Sequence, residues 1–278
     1  MTTTSATAAV DTLPLHHGGP IPRMGLGVFR ATPEQTYAAV TEALACGYRH
    51  IDTAQVYGNE AAVGKAVRDS GLPRDAVFVT TKLWNDHQRP GLVEDAVQRS
   101  IDALDIGAPD LFLLHWPVTG QRLAAWSVLE RLHEAGRLRA IGVSNFMVPH
   151  LEELLHHARI KPAVDQVEVS PFLQQRAVRE LCARHGIVVE AYSPLTKGQR
   201  LSHPVVERIA QEACATPAQV LLRWGLHHGL VVLPKSTSPQ RIRENLAAFE
   251  LTLSTEHMAA LDALEENLVT GWNPQLVP

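Results

Sequence analysis

The sequence predicts an α/β fold, a (β/α)8 TIM barrel with an N-terminal β-hairpin closing the barrel bottom, and three observations carry that prediction. Short apolar runs alternate with helix-length amphipathic segments along almost the whole chain, and eight such runs can be counted. The strands look buried, as those of a parallel sheet covered on both faces do. Several end in a polar or titratable residue, and the C-terminal ends of barrel strands are where this architecture carries its chemistry.

Taken in order, residues 1–12 are rich in Thr and Ala and predict a loose tail, which leaves 13–278 as a single barrel domain. Residues 13–22 place Gly18-Gly19 between short apolar stretches, the signature of a small hairpin outside the main sheet. The eight strands are expected at 25–28, 50–52, 77–82, 111–115, 139–144, 164–168, 187–192 and 230–233. Helices are expected at 33–46, 60–70, 92–105, 122–135, 147–158, 174–185, 203–212 and 238–248, with a further one at 217–228. Thr32-Pro33, Thr216-Pro217 and Ser238-Pro239 each offer a capping hydroxyl followed by Pro at the first helical position. Gly47, Gly71, Gly136 and Gly186 stand where helices should end. The stretch 268–278 is expected to pack across the mouth or the base of the barrel.

Size and composition narrow the class. A chain of 278 residues fits one barrel, since these run to roughly 250 residues as a single domain. With 25 Lys and Arg against 29 Asp and Glu there is no strongly basic stripe, which argues against a nucleic-acid partner. Cys46, Cys182 and Cys214 form neither a disulfide framework nor a Cys-x-x-Cys knuckle, and a reducing cytoplasmic setting is the expectation. No secretory leader is evident in the first residues, and no run approaches the ~18 apolar residues of a membrane span. The 14 histidines include the adjacent pairs His16-His17, His156-His157 and His227-His228, whose rings diverge, so no metal site is expected.

Four residues at or just after predicted strand ends form the candidate reactive group: Asp52, Tyr57, Lys82 and His115. A free phenol, with a pKa near ~10, is a weak acid at neutral pH. A nearby ammonium favours the phenolate and lowers that value, and a carboxylate beyond the ammonium holds it in place and charged. Tyr57, Lys82 and Asp52 suit those three parts, and His115 suits a donor that orients a substrate oxygen. Alone, each has an ordinary structural reading: a helix cap for Asp52, packing for Tyr57, a solvated charge for Lys82 and a core histidine for His115. Their occurrence at adjacent strand ends is what singles them out.

These residues sit in segments that resemble the aldo-keto reductase family: Gly25-Leu26-Gly27, Gly47 to Ala54, Tyr57-Gly58-Asn59-Glu60, Thr81-Lys82-Leu83-Trp84, His115-Trp116-Pro117, Ile141 to Phe146, Gln166-Val167-Glu168, and Pro234-Lys235-Ser236 through Arg241 to Glu244-Asn245. They run in the family's order over roughly 13–273, closest to its bacterial diketogluconate and methylglyoxal reductases. The resemblance implies NADPH-dependent reduction of an aldehyde or ketone, with Tyr57 as acid and Asp52, Lys82 and His115 as its partners. It also implies a cofactor lying across the barrel top, in keeping with the absence of a Gly-x-Gly-x-x-Gly turn opening a helix. Ser144, Asn145 and Gln166 match contacts to the nicotinamide carboxamide, and Tyr192 the ring that stacks on it. Ser193 and Leu195 match pyrophosphate contacts, Lys235, Ser236 and Arg241 the 2′-phosphate pocket, and Glu244 and Asn245 the adenine side.

For substrate, Phe29, Trp84 and Trp116 follow strands and Trp272 lies near the C-terminus, an aromatic wall beside His115. Short connections after Pro117 and around 196–198 predict an open site, and a monomer is expected from the family. Two readings from other classes stay open at this point. One is a barrel aldolase or isomerase that forms a Schiff base through Lys82. The other is a non-catalytic subunit that senses NADPH.

Overall fold

The computed structural model describes residues 11–277. Strands β1 (Thr12–Leu13) and β2 (Ile21–Pro22) pair antiparallel as the expected hairpin, with Leu13 opposite Ile21. Of the expected tail, Asp11 and Thr12 lie among the described residues and are held by the hairpin. Arg23 N–H donates to the Asp11 carbonyl at 2.9 Å and its guanidinium pairs with the Asp11 carboxylate at 3.0 Å, while Thr12 is already in β1. Residues 1–10 lie outside the described residues.

The main sheet contains β3 (Leu26–Gly27), β4 (His50–Asp52), β5 (Phe78–Leu83), β6 (Leu111–Leu114), β7 (Ile141–Ser144), β8 (Val164–Glu168), β9 (Val188–Tyr192) and β10 (Val231–Leu233). All neighbours are parallel and in sequence order. The ends meet: Gly25 N–H donates to Val232 O at 3.0 Å, Gly27 N–H to Pro234 O at 3.0 Å, and Val232 N–H to Arg23 O at 2.9 Å. The sheet is therefore a barrel. Gly25 permits that closure, since a Cβ there would stand 2.7 Å from Leu233 and 2.8 Å from the His50 ring.

Around it lie α1 (Pro33–Cys46), α2 (Glu60–Asp69), α3 (Val93–Leu104), α4 (Arg122–Glu134), α5 (Val148–His157), α6 (Arg176–His185), α7 (Pro204–Glu212), α8 (Pro217–His227), α9 (Pro239–Leu246) and α10 (Thr255–Asp262). The Thr32, Thr216 and Ser238 hydroxyls accept from the backbone N–H three residues on, as their spacing predicts. Helix α10 is absent from the sequence expectations. It is short, and its capping box uses His257 in place of Glu or Gln.

The core has two parts. One, rich in Val, Leu and Ala, lies between sheet and helices; the other fills the barrel bottom with Ile21, Phe78, Leu111, Leu113, Val164 and Leu233. Ile21 comes from the hairpin, so the hairpin plugs the bottom. Because side chains alternate along a strand, Phe78, Thr80 and Lys82 of β5 share the inner face, as do Val164, Gln166 and Glu168 of β8. The interior thus turns from apolar to polar one layer below the mouth.

Candidate active site

The strand ends open into a cavity of about 1290 Å³ at the barrel top. Among its lining residues are Asp52, Tyr57, His115, Gln166 and Tyr192 at one end and Arg241 and Asn245 at the other. The C-terminal segment crosses this mouth. Thr270 donates from N–H and hydroxyl to the Glu168 carboxylate, Lys197 Nζ donates to Thr270 O at 2.6 Å, and His150 Nε2 lies 2.9 Å from Val277 O.

Lys82 is fully buried on β5. Its ammonium donates to both Asp52 oxygens, at 2.7 and 2.8 Å, and to Thr53 O at 2.9 Å, which engages all three of its hydrogens. Burial opposes the charge on Lys82, but the surrounding acidic groups, Asp52 foremost, together outweigh it and hold the ammonium above its ordinary range. Tyr57 ends a short 3₁₀ turn (Gln55–Tyr57) after β4, and its ring centroid is 5.2 Å from Lys82 Nζ. One expectation changes here. Burial raises the Tyr57 phenol, and although the Lys82 charge pulls the other way, the net shift is upward. The ammonium limits the rise; it does not produce a low pKa.

His115 follows β6, with its ring 5.8 Å from Tyr57 and 5.3 Å from Trp84. Burial, and then the nearby Lys82 charge, hold it well below the usual histidine range, so it is neutral. Phe29 lies 5.0 Å from Tyr57, and Trp116 and Trp272 meet edge to face at 6.1 Å. All four aromatics from the predicted substrate wall line the cavity.

Ser144, Asn145, Gln166 and Tyr192 come together at the same depth through side-chain bonds. Ser144 Oγ donates to Gln166 O at 2.8 Å, Asn145 Nδ2 to His115 O at 2.9 Å, and the Tyr192 hydroxyl to Asn145 Oδ1 at 2.8 Å. Asn145 has φ +64°, a conformation that Asn tolerates better than most residues. At the far end, Ser236 is buried while Lys235 and Arg241 are exposed, and neither cation has an ion-pair partner among the described residues. Ser193, Leu195, Glu244 and Asn245 line the intervening groove and its end.

The sequence reading missed the groups that hold these residues. Gln55 Nε2 donates to Ala96 O and Ser100 Oγ, and its Oε1 accepts from Trp84 N–H. Asn59 Oδ1 accepts from the Thr53 hydroxyl, and its Nδ2 donates to Val28 O at 3.0 Å and Thr36 Oγ1 at 3.0 Å. Together they pin the Tyr57 turn to β3, β5 and α3. Glu190 was missed too, although a lone carboxyl in the run 187–192 is a legible signal.

A closed parallel barrel with a buried Lys–Asp pair beneath an aromatic cavity at its C-terminal face defines an enzyme of the barrel class. The chain belongs to the aldo/keto reductase family: a sequence model of that family matches residues 23–266. It is thus an oxidoreductase of carbonyl compounds. It is 44% identical over 269 residues to a glyoxal reductase of Bacillus subtilis (strain 168), covering 96% of this chain and 98% of that one. It is 41% identical over 266 residues to the methylglyoxal reductase DkgA of Yersinia pestis, covering 94% and 95%. The solved structure of MGS-M4, an aldo-keto reductase from a Medee basin deep-sea metagenome library, superposes with a TM-score of 0.92 at 38% identity, covering 96% of this chain and 100% of that one. Among the described residues, no group of three or more His, Cys, Asp or Glu is arranged to hold a metal ion, and no helix is long and apolar enough to cross a membrane.

Proposed function

We propose that the protein is an NADPH-dependent reductase of small aldehydes and ketones, with dicarbonyls, keto sugars and aromatic aldehydes as its substrate range and Tyr57 as the proton donor. The observation that carries this reading is the Asp52–Lys82–Tyr57 stack beneath a cavity walled by His115 and Trp84. Residues present in the cavity fit the nucleotide. Lys235 and Arg241, unpaired beside the buried Ser236 hydroxyl, suit a 2′-phosphate, and the groove past Ser193 and Leu195 spans the distance to Gln166 and Tyr192. Bound there, the nucleotide supplies a hydride to the carbonyl carbon.

The rest of the chemistry falls to the chain. His115, neutral, donates a hydrogen bond to the carbonyl oxygen and orients it. Tyr57 gives its proton to that oxygen as negative charge builds, and Lys82, fixed by Asp52, stabilises the phenolate that remains. The names of the relatives support the dicarbonyls. A Schiff-base role fits Lys82 poorly, because that chemistry needs a neutral amine and this one is held charged with every hydrogen engaged.

The test is purified protein with NADPH or NADH and a panel of glyoxal, methylglyoxal, keto sugars and aromatic aldehydes, followed by nucleotide absorbance. The expected result is turnover with at least one dicarbonyl and a kcat/KM at least about 10-fold higher with NADPH, the weight of one charge-assisted contact. Tight nucleotide binding without turnover would point to a sensing subunit. A borohydride-trapped adduct on Lys82 without need for nucleotide would point to Schiff-base chemistry.

A further inference from the structure

A polar layer of the barrel takes no part in the chemistry above: His50, Thr80 and Glu190, all fully buried one step below Asp52. The hydrogen-bonding inventory fixes the His50 tautomer. His50 Nδ1 lies 3.3 Å from Pro22 O, which can only accept, so Nδ1 carries a hydrogen. Nε2 then faces the Thr80 hydroxyl at 3.0 Å and Glu190 Oε1 at 3.5 Å. With Nδ1 protonated, Nε2 accepts from the Thr80 hydroxyl, its nearer partner, and Glu190 Oε1 makes no hydrogen bond to it. Burial pushes His50 down to about 4 and, with the Asp52 charge beside it, Glu190 up to about 8, so at neutral pH the imidazole is neutral and the carboxyl protonated.

Glu190 Oε1 has no hydrogen-bond partner among the described residues, and Oε2 serves as an acceptor. It takes one hydrogen of the Gln166 amide at 2.9 Å, and Asp52 Oδ2 takes the other at 2.8 Å. The ionised Asp52, bound by Lys82, accepts only, so the amide nitrogen must point inward and the amide oxygen outward. Gln166 lines the cavity, and its Oε1 receives no hydrogen bond among the described residues. A free amide group can turn over at little cost; this one is held at both hydrogens.

We propose that Glu190 is a positioning residue: by accepting one Gln166 amide hydrogen it holds Gln166 Oε1 toward the cavity as the acceptor for the N–H of a nicotinamide carboxamide. The proposal rests on the reading that the cavity takes a nicotinamide nucleotide. It separates two substitutions that differ little in bulk. Glu190→Gln keeps the acceptor, its amide oxygen standing in for Oε2 and accepting from Gln166. Glu190→Val leaves Gln166 with Asp52 Oδ2 as its one acceptor and frees the amide to swing about that bond.

The experiment measures binding, without turnover, by tryptophan fluorescence for wild type, Glu190→Gln and Glu190→Val. Three probes are used: NADP+, its 3-acetylpyridine analogue, in which a methyl replaces the carboxamide nitrogen, and 2′,5′-ADP, which lacks nicotinamide. Wild type and Glu190→Gln should favour NADP+ over the analogue by about 10-fold, the weight of one good hydrogen bond, and Glu190→Val, with one of the two amide anchors gone, should lower that ratio about 3-fold or more. Binding of 2′,5′-ADP should be equal in all three, which a general loss of structure would not leave intact. The proposal is overturned if wild type does not discriminate, if Glu190→Val keeps the preference, or if Glu190→Gln loses it; the Gln arm decides even where the Val variant fails to fold. Failure of wild type to bind NADP+ and 2′,5′-ADP alike would instead overturn the nucleotide reading itself.

Discussion

Lys82 shows how strongly a single residue in the barrel mouth is committed. Its three hydrogens are engaged and its side chain is excluded from water, so its removal leaves the Asp52 carboxylate buried with only Gln166 against it. Lys82→Met should therefore abolish turnover and also lower stability by about 3–5 kcal/mol, the usual cost of breaking a buried ion pair from one side. Urea unfolding of the two proteins measures this, and equal midpoints would contradict it. Arg241 is the opposite case. It is exposed and without an ion-pair partner among the described residues, so Arg241→Ala should leave stability within about 0.5 kcal/mol while raising KM for NADPH about 10-fold or more and changing KM for NADH little. The candidate residues Asp52, Tyr57, Lys82 and His115 were legible in the sequence because each stands at or just after the end of a strand-like run. Glu190 interrupts such a run, but its meaning depends on His50 and Gln166, which only barrel closure brings beside it. The upward shift of the Tyr57 phenol was not legible at all, since it depends on how much water the folded cavity excludes.

At the scale of elements, the turn that carries Tyr57 is only as well placed as the contacts that pin it. Asn59 ties this turn to the chain leaving β3 and to the start of α1, and it is buried. Asn59→Ala would leave the Thr53 and Thr36 hydroxyls and the Val28 carbonyl without those bonds, at a cost of about 2 kcal/mol. We expect kcat/KM to fall about 100-fold through displacement of Tyr57 and Phe29, with nucleotide affinity nearly unchanged. An affinity loss as large as the rate loss would show that the turn also shapes the nucleotide groove. The strands and capped helices were readable in sequence because period and punctuation agree: β4 and β8 fall on their expected bounds, and α1 runs from the Pro after its Thr cap to the residue before its glycine. Helix α10 carried too short a pattern to stand out, and its capping histidine is not the residue type that marks such a start.

For the molecule as a whole, the barrel interior sets the response to pH. Burial holds His50 and His17 down to about 4, below the ordinary 6.5 that each regains on unfolding. Between these values the unfolded chain binds more protons, so this stability is complete above about pH 6.5 and is lost as the pH falls toward about 4. Glu190, raised to about 8 by burial and by the Asp52 charge, contributes in the other direction, with stability lost as the pH rises toward that value. Thermal melts should show Tm falling on the acid side of neutrality, and a Tm that holds steady down to pH ~4 would contradict the neutral buried histidines. Barrel closure and the hairpin plug were readable from eight repeats and a Gly-Gly turn. The strap was expected across the mouth or the base; what was not readable is the set of contacts that places it at the mouth, Thr270 with Glu168 and Lys197, because no periodic pattern marks a segment held by side chains.

The central claim is that Tyr57 delivers a proton to a carbonyl oxygen in a site that binds the nucleotide without it. The most direct measurement compares wild type with Tyr57→Phe for NADPH affinity by fluorescence and for NADPH consumption with the best dicarbonyl in a single turnover. Affinity should change less than about 3-fold while the rate falls by about 100-fold or more, within the range of a lost general acid. Undiminished turnover in Tyr57→Phe would contradict the account.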